Sequence, residues 1–364
     1  MSLLHRIAVT KIKHVGPVTG KLLISHFGSA EAIWNATKDD LMDVPQIAAA
    51  TADQIMDQRE TAITMAEMEI KFIEKNNVQP LYHLNDDYPR RLKYFDQSPI
   101  MLYYKGSANL NPQRTVGIVG TRKPSEYGVV QCEKIVEGLK SYGVSIISGL
   151  AFGIDTTSHR KSVETGQETI GVLGHGLDMV YPASNRKLSQ KMVGHGGLLT
   201  EFGHGSRPER ENFPMRNRII AALSDAVIIV ESAVKGGSII TATFADAYNK
   251  DVFAVPGRVT DEMSAGPNKL IKSHKAHMIE SAKDIAYIMR WEEISNQPVQ
   301  AQLFVELSDR EQSIVDYIRA HKELPIDGLQ HLMQIPASEL SSALIQLEFK
   351  GIVRPLPGKR YMLH

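Results

Sequence analysis

Arg122 and Lys123 follow Gly120-Thr121 directly after a short apolar run, Val116 to Val119. A strand that stops on glycine can turn tightly and present its N–H groups, and a helix starting behind such a turn adds the positive end of its dipole. A helical stretch does follow, from Glu126 to about Tyr142. Arginine at the loop tip brings a planar, permanently charged fork that matches phosphate. The chemistry on offer is anion binding.

Three further loops have related composition. Ser148-Gly149-Leu-Ala-Phe152-Gly153-Ile-Asp155 contains two glycines that allow close backbone approach. Its Asp155 falls near a helix start, where a carboxylate suits the dipole or acts as a plain N-terminal cap. The loop from Gly174 to Lys187 combines turn residues, Tyr181 and the basic pair Arg186 and Lys187. Lys235-Gly-Gly237-Ser238-Ile-Ile-Thr241 again reads as strand, glycines, then helix, with Gly237 and Ser238 N–H groups open to an anion. Between these loops, Phe213-Pro-Met-Arg216-Asn217-Arg218 precedes an apolar helix. Two arginines and an amide there fit sugar–phosphate contact. The alternative is a surface ion-pair network with Glu209, Glu211 or Glu231.

Catalytic patterns are missing from the sequence. It has no Gly-x-x-x-x-Gly-Lys-Ser/Thr, no Gly-x-Gly-x-x-Gly in the first loop and no Gly-x-Ser-x-Gly. Its thirteen histidines show no metal-site spacing. His159 reads either as a lone acid–base group or as a packing residue that bonds a neighbouring loop. The single cysteine, Cys132, excludes a disulfide framework and reads as a small buried hydrophobe. No catalytic residue, metal ligand or cofactor is therefore assigned. Phe152, Tyr181 and Phe213 lie in or beside the loops, placed for base stacking or for core packing.

The elements that must position these loops follow from periodicity. Apolar β-branched runs at 116–119, 144–147, 169–173, 197–200, 226–230 and 252–255 alternate with helical segments. Runs apolar on both faces and joined by helices predict an α/β, Rossmann-like, doubly wound and mostly parallel sheet over residues 80–290. Residues 1–75 read as an all-helical domain. Its Gly16-Pro-Val-Thr-Gly20 spacing resembles a helix–hairpin–helix turn or a tight connection in a small bundle. Residues 80–112 are a Pro- and Tyr-rich connector with a short strand near Leu102. A polar linker is expected over 291–305. Residues 306–364 follow a winged-helix pattern: a capping box at Ser308–Glu311, three helices, and two strands around a Pro357-Gly358 turn. Its third helix carries Lys350 as its only basic residue, so this unit reads as a protein-contact module before a DNA reader.

Composition sets the outer limits. With 364 residues, 43% of them hydrophobic, the chain has enough for two or three folded domains. Lys+Arg and Asp+Glu balance at 41 each, so a nucleic-acid role must rest on a local patch rather than net charge. No apolar block reaches membrane-spanning length and no signal peptide is legible, so a cytoplasmic location is expected.

Tyr88-Pro-Arg-Arg-Leu92, Gly117-Ile-Val-Gly-Thr-Arg122, the 148–155 loop, Val172-Leu-Gly-His-Gly-Leu-Asp178, Phe213–Ile220, Gly236–Thr241 and Val255-Pro-Gly257 occur in one order. In this the chain closely resembles the DNA-processing protein A (DprA/Smf) family across about 80–290. The resemblance implies a non-enzymatic protein that binds single-stranded DNA during natural transformation, protects it and helps load RecA recombinase. It also implies a homodimer through the Rossmann-like domain. The family's Gly-x-Arg phosphate contact falls on Gly120 and Arg122, and its later basic positions fall near Arg186 and Lys187. Thr121, Lys123, Ser148, Gly149, Phe152, Arg216, Asn217, Arg218, Gly237 and Ser238 complete the expected DNA-binding set. The chain departs from the family pattern at Ser273-His-Lys-Ala276, where glycine is usual, and at Thr156-Thr157-Ser158. The rival reading is a nucleotide hydrolase, in which Lys235–Thr241 would bind phosphate and Glu201 or Glu231 would serve as acid or base.

Overall fold

The computed structural model describes residues 2–294, 307–321, 323–333, 335–350, 352–356 and 360–363. Most of the expected linker, and the turn at Pro357-Gly358, lie outside the described residues. The chain divides into two compact units, Met1–Ile294 and Ser295–His364.

The first unit opens with helices α1 (Leu3–Val9), α2 (Pro17–Phe27), α3 (Ala32–Asn35), α4 (Lys38–Met42) and the long α5 (Ala49–Asn76). Proline sets the first turn of α2, and Gly28 ends it in the left-handed conformation at φ +76°. Thr37 and Asp40 form a capping box on α4. The apolar faces of these helices close a core around Ile7, Leu23, Ile33, Leu41 and Ile55, which continues into Tyr82, Met101 and Tyr103. Those last residues belong to strands β1 (Gln79–Tyr82) and β2 (Met101–Gly106). The helical region is thus fused by hydrophobic burial to one edge of the sheet.

The sheet continues through β3 (Arg114–Val119), α6 (Glu126–Leu139), β4 (Val144–Ser148), α7 (Ile154–Thr165), β5 (Thr169–Leu173), α8 (Arg186–His195) and β6 (Gly196–Thr200). The chain then returns to the middle with α9 (Asn212–Leu223), β7 (Ala226–Ile229), α10 (Gly237–Ala247), β8 (Asp251–Ala254), α11 (Ala265–Lys272), β9 (His277–Met278) and α12 (Ala282–Met289). Nine strands hydrogen-bond in the order β1-β2-β6-β5-β4-β3-β7-β8-β9. The β1–β2 and β2–β6 pairings are antiparallel and all others are parallel. Side-chain alternation explains the two covered faces. Ile147, Val227 and Ile229 meet α9 and α10 through Ile219, Ile220 and Ala242. Ile146, Ile118 and Ile228 meet α6 and α12 through Cys132, Val136 and Ile285. Cys132 is fully buried, as its composition reading required.

The six apolar runs each become a strand, shifted by at most two residues at an end. Three of the nine strands carry no such run, and one of them, β2, is the short strand expected near Leu102. β1 is partly exposed, and β9 is a two-residue edge whose side chains face solvent.

The second unit contains α13 (Asp309–His321), β10 (Glu323–Pro325), α14 (Ile326–Met333), α15 (Ala337–Phe349), β11 (Val353–Leu356) and β12 (Arg360–Leu363). The strand order β10-β12-β11 with three helices is a winged helix. Ile314, Ile318, Leu340, Leu344 and Leu347 form its core. The capping box is present, with Glu311 N donating to Ser308 Oγ at 3.3 Å and Ser308 N to Glu311 Oε2 at 2.9 Å. Lys350 donates to Glu311 Oε1 at 2.6 Å, so the one basic residue of the third helix is held by its own unit.

Candidate nucleic-acid interface

Strand β3 lies between β4 and β7. The chain leaves β3 towards β4 and later returns to β7 on the other side, so the loops after β3 and β7 diverge. A crevice opens at such a switch point, beyond the carboxyl ends of the strands. Here it is an open cleft of about 690 Å³. Its floor and walls include Gly120, Thr121 and Arg122 after β3, Asp155 on α7, Arg216 and Asn217 on α9, and Gly237 and Ser238 opening α10. A smaller, more enclosed recess beside it is lined by Gly149, Phe152 and His175, and shares Arg122, Tyr181 and Phe213 with the cleft.

The first loop is pinned from both sides. Thr121 N donates to Glu231 O at 2.7 Å, and Ile154 N donates to Thr121 O at 3.2 Å. A Cβ on Gly120 would strike Ile154, so glycine is needed for this approach. Gly153 stands at φ +78°, where a Cβ would also collide with Thr121 O.

The N-terminus of α6 departs from the sequence reading. Ser125 caps it, accepting from Gly128 N at 3.1 Å. The buried carboxylate of Glu231 receives Ser125 N at 2.9 Å and the Ser125 hydroxyl at 2.5 Å. The helix behind the loop is therefore already supplied with an anion, one of the protein's own. Glu231 is occupied there, not paired with the arginines. In contrast, no side chain among the described residues caps α10, and Gly237 at its start is exposed. Thr241, one turn in, is fully buried and lines the cleft, its hydroxyl without a partner among the described residues. The second helix, not the first, leaves its N–H groups to a ligand.

The arginines fall into three environments. Arg122 is exposed and forms no ion pair among the described residues, and its guanidinium lies 5.2 Å from the Phe213 ring centroid. Arg216 is 4% exposed, donating to Gly149 O at 2.5 Å, to Val172 O, and to Asn217 Oδ1 at 3.1 Å. Burial draws its pKa down to about 10, with Asp155 pulling the other way and Arg122 adding to the fall. Its charge lies beneath the cleft while its donors tie loop ends together. Arg218, expected on the rim, turns away. It is 7% exposed, pairs with Glu201 and donates to Gln97 O at 2.6 Å. Residues two apart on a helix do not share a face, which separates Arg216 from Arg218.

The other expected residues are placed as follows. Asn217 Nδ2 donates to Gly237 O at 3.3 Å and steadies the start of α10. Ser148 is buried, its hydroxyl donating to Ile118 O at 2.6 Å, so it ties β4 to β3. Lys123 is exposed just outside the cleft. Arg186 and Lys187 are exposed at the start of α8 and line neither cavity. Their neighbour Asn185 is buried and donates to Leu150 O at 3.1 Å. Phe152 and Tyr181 are 48% and 42% exposed, and the Tyr181 ring lies 6.0 Å from that of Phe213. Leu150, buried in the same loop, holds a left-handed φ of +57°, a strained value for leucine.

Asp155 is buried, accepts from Ala151 N at 3.2 Å, and is pushed to a higher pKa by burial against the pull of Arg216. It braces its own loop. His159 is fully buried with Nδ1 at 2.7 Å from Thr169 Oγ1. Thr169 donates its hydroxyl to Ile146 O at 3.0 Å, so His159 Nδ1–H is the donor and Nε2 is left a buried lone pair. It is a packing residue that bonds a neighbouring strand.

Sequence reading missed Pro208, Arg210 and Met263 as lining residues. Pro208 and Arg210 lie in an irregular segment and Met263 in a single 3-10 turn, Glu262–Ser264, none of which shows an apolar period. Only the pairing of arginines and prolines around 207–210 offered a signal.

With the geometry described, three comparisons bear on the chain. Residues 79–290 match the family model described as DNA recombination-mediator protein A. Residues 7–61 match a SAM-like helix-hairpin-helix tandem, and 298–359 match the DprA winged helix domain. Protein Smf of Synechocystis is 32% identical over 98% of this chain and 97% of its own. The DNA processing protein DprA of Streptococcus pneumoniae is 41% identical over 56% of this chain and 71% of its own. The solved structure of DNA processing protein A from that organism superposes with a TM-score of 0.67, at 30% identity, over 80% of this chain and 99% of that one. A Helicobacter pylori DNA processing protein A, solved to describe its single-stranded DNA binding mode, gives a TM-score of 0.54 at 28% identity, covering 59% of this chain and 97% of that one.

Proposed function

Since the chain belongs to the DNA recombination-mediator protein A family, we propose that its switch-point cleft holds the backbone of single-stranded DNA. The observation that carries this reading is Arg122, an exposed arginine with no ion pair among the described residues, at the mouth of a cleft that also receives the start of α10, where no side-chain cap occurs among those residues. A charge-assisted fork and free helix N–H groups suit successive phosphates. Phe152, Tyr181 and Phe213 supply flat faces beside them, and stacking on aromatic faces tolerates any base. The single-strand binding named for the Helicobacter pylori relative supports the same ligand. Gly120, Thr121, Lys123, Gly149, Asn217, Gly237 and Ser238 shape or border this path. Arg186 and Lys187 would extend it along α8. Ser148, Arg216 and Arg218 act in this reading as supports, because their donors are taken up inside the protein.

The protein works without catalysis in this reading. It protects taken-up DNA in the cytoplasm, as a homodimer, and passes it to the RecA recombinase. Both carboxylates that a hydrolase would use are engaged, Glu201 by Arg218 and Glu231 by Ser125. Equilibrium titration of labelled single- and double-stranded oligonucleotides over a range of salt tests the proposal. Single strands should bind more tightly, with log affinity falling by about 0.7 per phosphate contacted for each unit of log salt. Equal binding of both forms, or a flat salt response, would refute it.

A further inference from the structure

One buried carboxylate in the first unit does not line the cleft yet bonds the segment that leads into its wall. Glu69, on α5, is 3% exposed. It pairs with Lys11 at 2.7 Å, and both of its oxygens accept from His204 N, at 2.9 and 3.0 Å. His204 belongs to the irregular segment between β6 and α9, whose later residues Pro208 and Arg210 line the cleft. The Phe72 ring, also on α5, lies 4.7 Å from the His204 ring. A Cβ on Gly203 would run into Glu69 and Lys11, so the segment is drawn in as closely as backbone allows. The same segment is tied to the other wall. Gly205 N donates to Asp178 Oδ1 at 3.1 Å and Gly176 N to Ser206 O at 3.0 Å, three to five residues before Tyr181.

Packing α5 against the sheet does not require this arrangement, because an apolar pair of similar volume would serve docking as well as a buried ion pair. What an apolar pair cannot do is accept a hydrogen bond from a loop N–H. We infer that Glu69 is a positioning residue of the cleft: the N-terminal helical region fixes the 203–210 segment, and through it Arg210, for DNA. The inference rests on the DNA-binding reading given above. It makes the helical region a buttress of the DNA site that need not touch DNA. By linkage, DNA in the cleft should in turn slow the opening of this segment.

The test compares two double variants of the full chain, Lys11→Met with Glu69→Gln and Lys11→Met with Glu69→Ala. Both lack the ion pair, but only the glutamine keeps an acceptor for His204 N. A single-strand titration should give wild-type affinity for the glutamine form and about tenfold weaker binding for the alanine form, the loss expected of one charge-assisted contact. Hydrogen exchange at residues 203–210 should quicken in the alanine form alone, and DNA should slow it in wild type. Asp178→Ala, at an exposed position, cuts the second tether of the segment without touching α5 and should weaken binding in the same direction. Wild-type affinity in the alanine form, with 203–210 exchanging faster, would overturn the inference, as would equal loss in both double variants. If wild type binds no single strands, the DNA reading falls and takes this inference with it.

Discussion

Arg122 and His159 mark the two fates of a polar residue in this fold. Arg122 is exposed beside the Phe213 ring and forms no ion pair among the described residues. Arg122→Ala should weaken single-strand binding by tenfold or more for every sequence tried, because a phosphate contact reads no base. The salt slope should fall by about 0.7. Oligonucleotide titrations at several salt concentrations check both. His159 is the reverse case, neutral in the core with a pKa drawn down to about 3 by burial and by Arg216. Its unfolded value is about 6.5. The unfolded chain therefore binds the extra proton between these values, and stability falls as pH drops through that window, by up to about 1.4 kcal/mol per pH unit from this group. The contribution is fully present above about pH 6.5. Urea unfolding between pH 7 and 4 should show it, with a shallower fall in His159→Gln.

At the scale of elements, two similar strand–glycine–helix junctions have opposite outcomes. The α6 junction is closed by Ser125 and Glu231, and the α10 junction is open. Ser125→Ala should cost about 1–2 kcal/mol by removing the cap and one partner of a buried carboxylate. Chemical denaturation reads this directly, while DNA affinity measured well below the transition should stay near wild type. Local sequence could not separate the two junctions, because the carboxylate that closes α6 comes from 106 positions further along the chain. The turn after α11 carries a similar lesson. Within Ser273–Ala276, the segment that departs from the resemblance, His274 takes a left-handed φ of +55°. A non-glycine residue bears the strain of that backbone conformation.

At the scale of the molecule, the N-terminal helices share a hydrophobic core with strands β1 and β2 at one edge of the sheet, while the winged helix has its own. A chain ending after Ile294 should keep a single cooperative unfolding transition and its single-strand affinity. Calorimetry and the same titration check this. Loss of DNA binding in that truncation would transfer part of the site to the winged helix. Lys350 argues against such a transfer, since it is held by Glu311.

Much of this was legible in the sequence for simple reasons. Strand runs such as Ile170–Leu173 are apolar on both faces because both faces are covered, and that pattern survives without neighbours. Gly120-Thr121-Arg122 announced a turn and a charge because a glycine's freedom and an arginine's fork belong to the residues themselves. Tertiary structure alone decided where each charge points. Arg216 and Arg218 read alike in sequence, yet one lies under the cleft and the other faces Glu201, because each helix position meets a different partner across the sheet. It also decided that Glu69, 135 positions before His204, would hold the wall of the cleft. Long-range hydrogen bonds leave no local trace, and here they decide which loops close on the protein's own groups and which stay open.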